Sequence, residues 1–256
     1  TQVDLVYLVG NDSETSGQRD ALNALLQDLP EAVRGRARIE SMEPAQGLVD
    51  LSGGYDLMVV GSREPPALER LLKGPMATRV LRKTLCPVLV PRGELPPGPG
   101  ARFIVGVDVS GPDPERILQL SAVWAERFSG TLDALYVDAG GLPHISDRSV
   151  REAAEREWAA LRAPKIARLR AMMERVVPEG CRGGTILRRG EPEDVLVQLS
   201  TEYDVLLVGN RDREGLARFV LGAVAAQVVR RASCDVLSLP TAADDLWAAE
   251  DSAHDR

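Results

Sequence analysis

Residues 55–90, YDLMVVGSREPPALERLLKGPMATRVLRKTLCPVLV, return at residues 203–238 as YDVLLVGNRDREGLARFVLGAVAAQVVRRASCDVLS. The two stretches align without a gap at an offset of 148, and 14 of 36 positions are identical. A repeat of this length is a supersecondary unit, so the chain reads as two related halves. Asp56-Leu-Met-Val-Val-Gly61 and Asp204-Val-Leu-Leu-Val-Gly209 are short apolar runs ending in glycine. That pattern predicts strands buried on both faces. A charged loop follows each. Then come helical stretches with Leu68, Leu71, Leu72 and Val80 in one copy and Leu216, Phe219, Val220 and Val228 in the other. Strands starting at Cys86 and Cys234 close the units. Strand, helix, strand implies a parallel sheet with right-handed crossovers.

Upstream of the second copy the pattern continues. Arg102–Asp108 predicts a strand; Asp113 and Pro114 predict the cap and first residue of a helix. Ile117, Leu120, Trp124 and Phe128 recur at helical spacing, and Gly130 is expected to stop that helix. Thr131–Val137 reads as the second strand, Gly184–Arg188 as the third, and Glu191-Pro-Glu-Asp as the start of the helix leading to Tyr203. The region 147–177 is helical in pattern but carries Pro164, which should kink or break it. The second half is thus a five-stranded α/β domain.

Across residues 101–240 the sequence resembles the universal stress protein family. The resemblance rests on Val105-Gly-Val-Asp108-Val-Ser110, Leu135-Tyr-Val137, Arg189-Gly-Glu-Pro192, Tyr203–Gly209 and Cys234–Pro240. It implies a doubly wound parallel sheet in the order 3-2-1-4-5 with helices on both faces. It also implies pairing through fifth strands, as homodimers or as two domains of one chain. Two such sheets in tandem are therefore expected: residues 1–91, a Pro/Gly-rich linker at 92–100, residues 101–240, and an acidic tail at 241–256.

The first half departs from this pattern. Val3–Val9 matches the second strand, with Asp4 and Tyr7 beside Asp133 and Tyr136, and not the first. Residues 18–29 predict a helix, Ala37–Glu40 the third strand, and Ala45–Leu51 the next helix. Nothing corresponds to strand one and helix one. Without a central strand, strands two and four would keep unpaired amides, at about 1–3 kcal/mol each when buried. Because buried backbone groups are nearly always paired, the reading expects roughly 30 residues upstream of Thr1, with a rearranged half-domain as the alternative.

Composition fits two modest cores: 256 residues, 44% apolar, 4% aromatic, net charge −7. Arginines alternate with acids along 147–177, the pattern of a solvated helix and not of a phosphate-tracking stripe, so no nucleic acid partner is expected. No membrane span or leader is legible, and three cysteines fit a reducing compartment; a cytoplasmic location is expected. Cys86 and Cys234, at the starts of the two fifth strands, read as small buried hydrophobes, and Cys181 lies in a Gly-rich turn. A Cys86–Cys234 disulfide requires the two strand starts to lie close.

Function turns on the loop after the fourth strand. In nucleotide-binding members of the family it runs Gly, two residues, Gly, nine residues, Gly, then Ser or Thr. Such glycines let backbone N–H groups and a helix N-terminus approach phosphate. The second half has Gly209-Asn-Arg211-Asp212 and then Gly222-Ala223; the first has Gly61-Ser-Arg-Glu64 and then Gly74-Pro75. In both, the middle glycine is acidic and the terminal hydroxyl is lost. One carboxylate about 5 Å from one phosphate charge costs about 3 kcal/mol at an effective dielectric of 20, less when solvated. Asp212 and Glu214 together are therefore expected to erase ordinary ATP binding, with Arg211 and Arg213 able to offset part of the cost by pairing with the acids or with phosphate. By resemblance, Asp108 and the Val137 backbone would meet adenine, with Ser110 nearby; equally, Asp108 could simply cap its turn.

Hydrolase chemistry is poorly supplied. The two histidines, His144 and His254, lack a nucleophile elbow or metal-ligand spacing; Asp113 and Glu115 could act as acids, but carboxylates at a helix start are usually caps. The leading expectation is a non-enzymatic tandem stress protein that acts as a binding module for unknown protein partners, with no membrane partner and no obligatory cofactor. Its domains pair within the chain, and a further homodimer is possible in principle. The alternatives are an ATP or AMP sensor using the second domain, and the cytoplasmic regulatory part of a membrane transporter or sensor.

Overall fold

The computed structural model describes residues 2–9, 16–61, 83–92, 98–111, 113–139, 147–209 and 221–240. The first half contributes β1 (Val3–Val9), α1 (Ser16–Asp28), β2 (Arg34–Ser41), α2 (Pro44–Ser52), β3 (Met58–Val59) and β4 (Val88–Val90). The second contributes β5 (Arg102–Gly106), α3 (Pro114–Arg127), β6 (Thr131–Asp138), α4 (Arg148–Val176), β7 (Arg182–Arg189), α5 (Pro192–Leu199), β8 (Val205–Gly209), α6 (Leu221–Arg231) and β9 (Asp235–Leu239). The repeated helix expected around residues 68–80 lies outside the described residues, as do the loop 210–220 and the tail 241–256.

Seven strands form one sheet in the order β7-β6-β5-β8-β9-β4-β3. Within the second half this is third, second, first, fourth, fifth, all parallel, as the resemblance implied. Alternation along β5 divides the core. Phe103 and Val105 face α3 and α4, among Ile117, Leu118, Leu169, Met172 and Met173. Ile104 faces α5 and α6, among Leu196, Leu199, Val228 and Val229. β5 and β8 are buried on both faces, which explains their nearly unbroken apolar runs.

The two halves meet through their fifth strands. β4 runs antiparallel to β9, with Val88 opposite Ser238 and Val90 opposite Val236. Val88 and Val90 are buried in the same cluster as Ile104 and Leu206, so β4 is part of the second half's core. Antiparallel pairing also removes the disulfide considered above. In this register Cys86 stands level with position 240 and Cys234 with position 92, six residues apart along the strands, or about 20 Å. A disulfide needs Cα atoms within about 7 Å. All three cysteines are free and buried.

Three local expectations are corrected. The run 56–61 was expected to be a strand buried on both faces, but β3 spans two residues, lies at the sheet edge, and leaves Val59 61% exposed. The matching Leu207 is fully buried because β5 lies beside it. α4 continues through Pro164 without a break: Ala160 and Pro164 are both exposed, so the carbonyl that loses its partner faces water. α3 does end before Gly130, but the left-handed residue is Ser129, at φ 47°. Gly130 is needed for a close approach instead: a Cβ there would stand 2.3 Å from the Ala101 carbonyl oxygen and 2.8 Å from the Phe103 ring.

β1 and β2 form a separate two-stranded parallel sheet. The offset of 148 now extends back to Pro30. Matching short 3-10 turns, Glu31–Val33 and Glu179–Cys181, lead into β2 and β7, and Pro44 and Pro192 open α2 and α5.

Candidate functional site

The chain leaves β5 for β6 and β7 on one side, then returns to β8 on the other. In an open α/β sheet such a reversal opens a crevice beyond the C-terminal ends of the strands. Four of the residues singled out in the sequence sit on this edge. Asp108 and Ser110 follow β5, Val137 is the penultimate residue of β6, and Gly209 ends β8. Gly222 and Ala223 lie in the first turn of α6, which starts after the loop from β8. Arg211, Asp212, Arg213 and Glu214 lie outside the described residues.

The β5 turn is built around Asp108. Its Oδ1 accepts the Ser110 N–H at 3.0 Å, and its carbonyl accepts the Gly111 N–H at 2.9 Å. A Cβ on Gly111 would stand 3.0 Å from that carbonyl, so a side chain there would crowd the turn. Asp108 thus caps its turn, and its side chain is half-buried past the end of β5. On the β5 side of β6, the ladder reaches Val107 N–H to the Leu135 carbonyl at 2.9 Å. Successive residues of a strand direct their backbone groups to opposite neighbours. The next backbone pair turned that way is Val137's, level with the space past the end of β5. A planar heterocycle with an adjacent donor and acceptor could bond there.

The adjoining wall was not foreseen. Asp138, 7% exposed, accepts from the Trp158 indole N–H at 2.7 Å and from Arg162 Nε at 3.0 Å. Arg189, at the end of β7, sits 5.6 Å from the centre of the Trp158 ring. One turn further along α4, Lys165 Nζ donates to the Tyr136 hydroxyl at 2.7 Å. These bonds pin the middle of α4 to the rim of β6 beside Val137. Trp158 and Arg162 lie four residues apart, hence on one helix face, and that spacing was the available signal.

The carboxylates weighed as catalytic acids have structural partners. Asp113 caps α3 by accepting the Arg116 N–H at 3.2 Å, and Glu115 pairs with Arg175. Among the described residues no group of three or more His, Cys, Asp or Glu side chains could hold a metal ion. Nor is any described helix long and apolar enough to cross a membrane. Burial pushes the thiols of Cys86 and Cys234 up to about 11, so neither is poised as a nucleophile.

Comparison with known proteins agrees with this architecture. A universal stress protein of Mycolicibacterium smegmatis is 28% identical over 208 residues, covering 80% of this chain and 68% of the relative. One of Mycobacterium tuberculosis is 28% identical over 201 residues, covering 76% of this chain and 65% of the relative. The chain therefore spans about two thirds of the length of these relatives. A protein of unknown function from Pseudomonas aeruginosa superposes with a TM-score of 0.59 at 18% identity, over 94% of this chain and 82% of that one. A universal stress protein from Archaeoglobus fulgidus gives 0.58 at 15%, over 93% and 85%. Both share the fold. The sequence model of the universal stress protein family matches residues 4–92 and again 101–240, the two halves that the internal repeat delimits, and the chain belongs to that family.

Proposed function

We propose that this universal stress protein is a non-enzymatic binding module whose second half retains the base end of an adenine-nucleotide site and has lost tight hold on the phosphates. What supports this reading is the Asp108 turn and the Val137 backbone at the strand-order reversal, taken with a following loop whose sequence departs from the phosphate-binding pattern. The Asp108 turn and the Val137 backbone stand at the strand-order reversal, where a nucleoside would lie. The loop from Gly209 to Gly222 supplies Asp212 and Glu214 where phosphate contact requires uncharged, close-approaching backbone, and Ala223 supplies no hydroxyl. A carboxylate in that loop costs up to about 3 kcal/mol against each phosphate charge, and each 1.4 kcal/mol is a factor of about ten in affinity. Adenosine and AMP, with fewer phosphate charges, should suffer less than ATP. The module works in the cytoplasm through protein partners, with its two domains paired within the chain.

Thermal denaturation with Mg·ATP, AMP and adenosine at millimolar concentration tests the proposal. Tight binding at 100 times the dissociation constant would stabilise the site by about 2.7 kcal/mol. The expected result is no such shift with ATP. The triple variant Asp212→Gly, Glu214→Gly, Ala223→Ser should gain an ATP-dependent rise, which Asp108→Ala then removes. A large rise with ATP in the unaltered protein would show a nucleotide sensor and refute the loop argument. Failure of the triple variant to bind would refute the site itself.

A further inference from the structure

The two fifth strands meet about an approximate twofold axis that passes between Leu89 and Leu237. These residues stand opposite each other in the ladder and are equivalent under the offset of 148. A contact on one side of the axis should therefore return on the other, with equivalent residues exchanged. One contact does not return. At one end of the ladder the Arg92 N–H donates to Asp235 Oδ1 at 2.7 Å. At the other end the equivalent positions hold Pro240 and Pro87. Proline has no N–H to give and no side-chain carboxylate to receive one.

The one-sided contact is enclosed. Asp235 is 6% exposed, and Arg92 Nε is buried. The Arg92 guanidinium continues to the Val229 carbonyl in the last turn of α6, where the helix dipole favours a cation. Its consequence is a preference among pairings. Two copies of the chain could also join β9 to β9 and β4 to β4 in the same register. The ladder pairs do not discriminate, because exchange leaves Val with Val, Val with Ser and Leu with Leu in the same numbers. Asp235, however, would then have Pro240 where it now has Arg92, and Arg92 would have Pro87 where it now has Asp235. Each copy loses its Arg92–Asp235 bond, and the prolines replace neither donor nor acceptor. Loss of a buried hydrogen bond to a carboxylate weakens pairing by about tenfold or more.

We propose that Arg92 and Asp235 determine the specificity of this interface: they make the second half's fifth strand accept the first half's and reject a second copy of itself. The partner that the β9 edge fits is an antiparallel apolar strand followed by proline and then arginine, which residues 88–92 supply. The inference rests on the β4–β9 ladder and uses nothing of the nucleotide reading.

Disulfide trapping tests this on the 256-residue chain. With β4 on β4, position 89 would face its own counterpart at about 4.5–5.5 Å between Cα atoms, within disulfide reach. Within one chain it faces Leu237 instead. Leu89→Cys, at a partly buried position, therefore reports like-with-like pairing as a linked dimer, which peptide mass mapping assigns to position 89. In an oxidising glutathione buffer that dimer should be scarce. Adding Arg92→Pro, which makes position 92 match position 240, should raise its yield at least about tenfold. Arg92→Ala keeps the N–H and loses the guanidinium; it should give a smaller rise, and it carries the test if the proline variant does not fold. Tyr203→Phe weakens the second half away from this interface and should give no rise. The proposal is overturned if the Arg92 variants yield no more dimer than the chain with Leu89→Cys alone. An equal rise with Tyr203→Phe also overturns it, since general loosening would then explain the cross-link. Abundant dimer with Leu89→Cys alone overturns it together with the pairing inside the chain, and leaves the nucleotide reading as it stands.

Discussion

Tyr203→Phe removes the hydroxyl that ties the residues leading into β8 to Asp133 of β6, and its cost can be worked out. Tyr203 is 8% exposed, and its hydroxyl donates to the Asp133 carboxylate at 2.7 Å. A hydrogen bond to a charged group contributes about 1.5–3 kcal/mol. Asp133 keeps the Gly184 N–H, so the loss should fall near the middle, about 2 kcal/mol. For a cooperative unit the size of residues 101–240 that lowers the melting temperature by roughly 6–8 °C. The alkaline profile is more diagnostic. Burial, then the bond to Asp133, pushes the Tyr203 hydroxyl up to about 12 from its ordinary value of 10. The raised folded value means its contribution is complete below pH 10 and is lost as pH rises through 12. Two units at about 1.36 kcal/mol each give a fall of at most about 2.7 kcal/mol. Cys86 and Cys234 also titrate there, but they are common to both proteins, so the difference between wild type and variant isolates Tyr203. Urea unfolding followed by circular dichroism at pH 8, 10, 11 and 12 should show a gap of about 2 kcal/mol that closes toward pH 12. A constant gap, or one under about 0.5 kcal/mol at pH 8, would refute the reasoning. Tyr55, whose hydroxyl donates to Asp4 at 2.9 Å, is the first-half counterpart, and Tyr55→Phe should cost less, under about 1 kcal/mol, since Arg38 also holds Asp4.

Three further outcomes are expected. Gly130→Ala should cost about 1–3 kcal/mol in urea, because the Ala101 backbone must yield to the new Cβ; a neutral result would mean the approach is looser than described. Asp138→Ala strands Arg162 and the Trp158 indole, so it should destabilise by about 3 kcal/mol and shift Trp158 emission to the red, whereas Glu115→Gln, at a partly exposed ion pair, should cost under about 1 kcal/mol. The native protein should show no rapidly alkylated thiol among its three cysteines, and no oxidant should link Cys86 to Cys234 within a folded chain, as counted by mass after iodoacetamide.

The second half was legible almost strand by strand, because in a doubly wound sheet local pattern and tertiary burial agree. Val205–Val208 looks buried on both sides and is. The first-half copy looks the same, yet Val59 is exposed, because burial depends on the strand alongside and not on the residue. The turn at Ser129 shows the same limit: glycine at 130 predicted a left-handed cap, but its role is contact with Ala101 across sequence. At the site, Asp108 and Val137 stood out only through the family resemblance, and the structure adds that Asp108 holds its own turn. The Asp138, Trp158 and Arg162 cluster escaped notice because its members, 20 and 24 residues apart, meet only through the fold.

The tandem arrangement follows from how each half would stand alone. β9 has Val236 and Leu237 fully or almost fully buried, and without β4 it would be an open apolar edge, a template for association. β4 closes that edge and places Val88 and Val90 in the core around Leu206. Arg92 extends the clasp: its N–H donates to Asp235 Oδ1 at 2.7 Å, and its guanidinium reaches the Val229 carbonyl. The first half's fifth strand therefore has a complete set of neighbours even though β1 and β2 stand apart. It follows that β4 unfolds with the second half, while the β1–β2 sheet and α1 can open separately. Hydrogen exchange should accordingly protect Val88 and Val90 as strongly as β8, and protect Leu5 and Tyr7 far less.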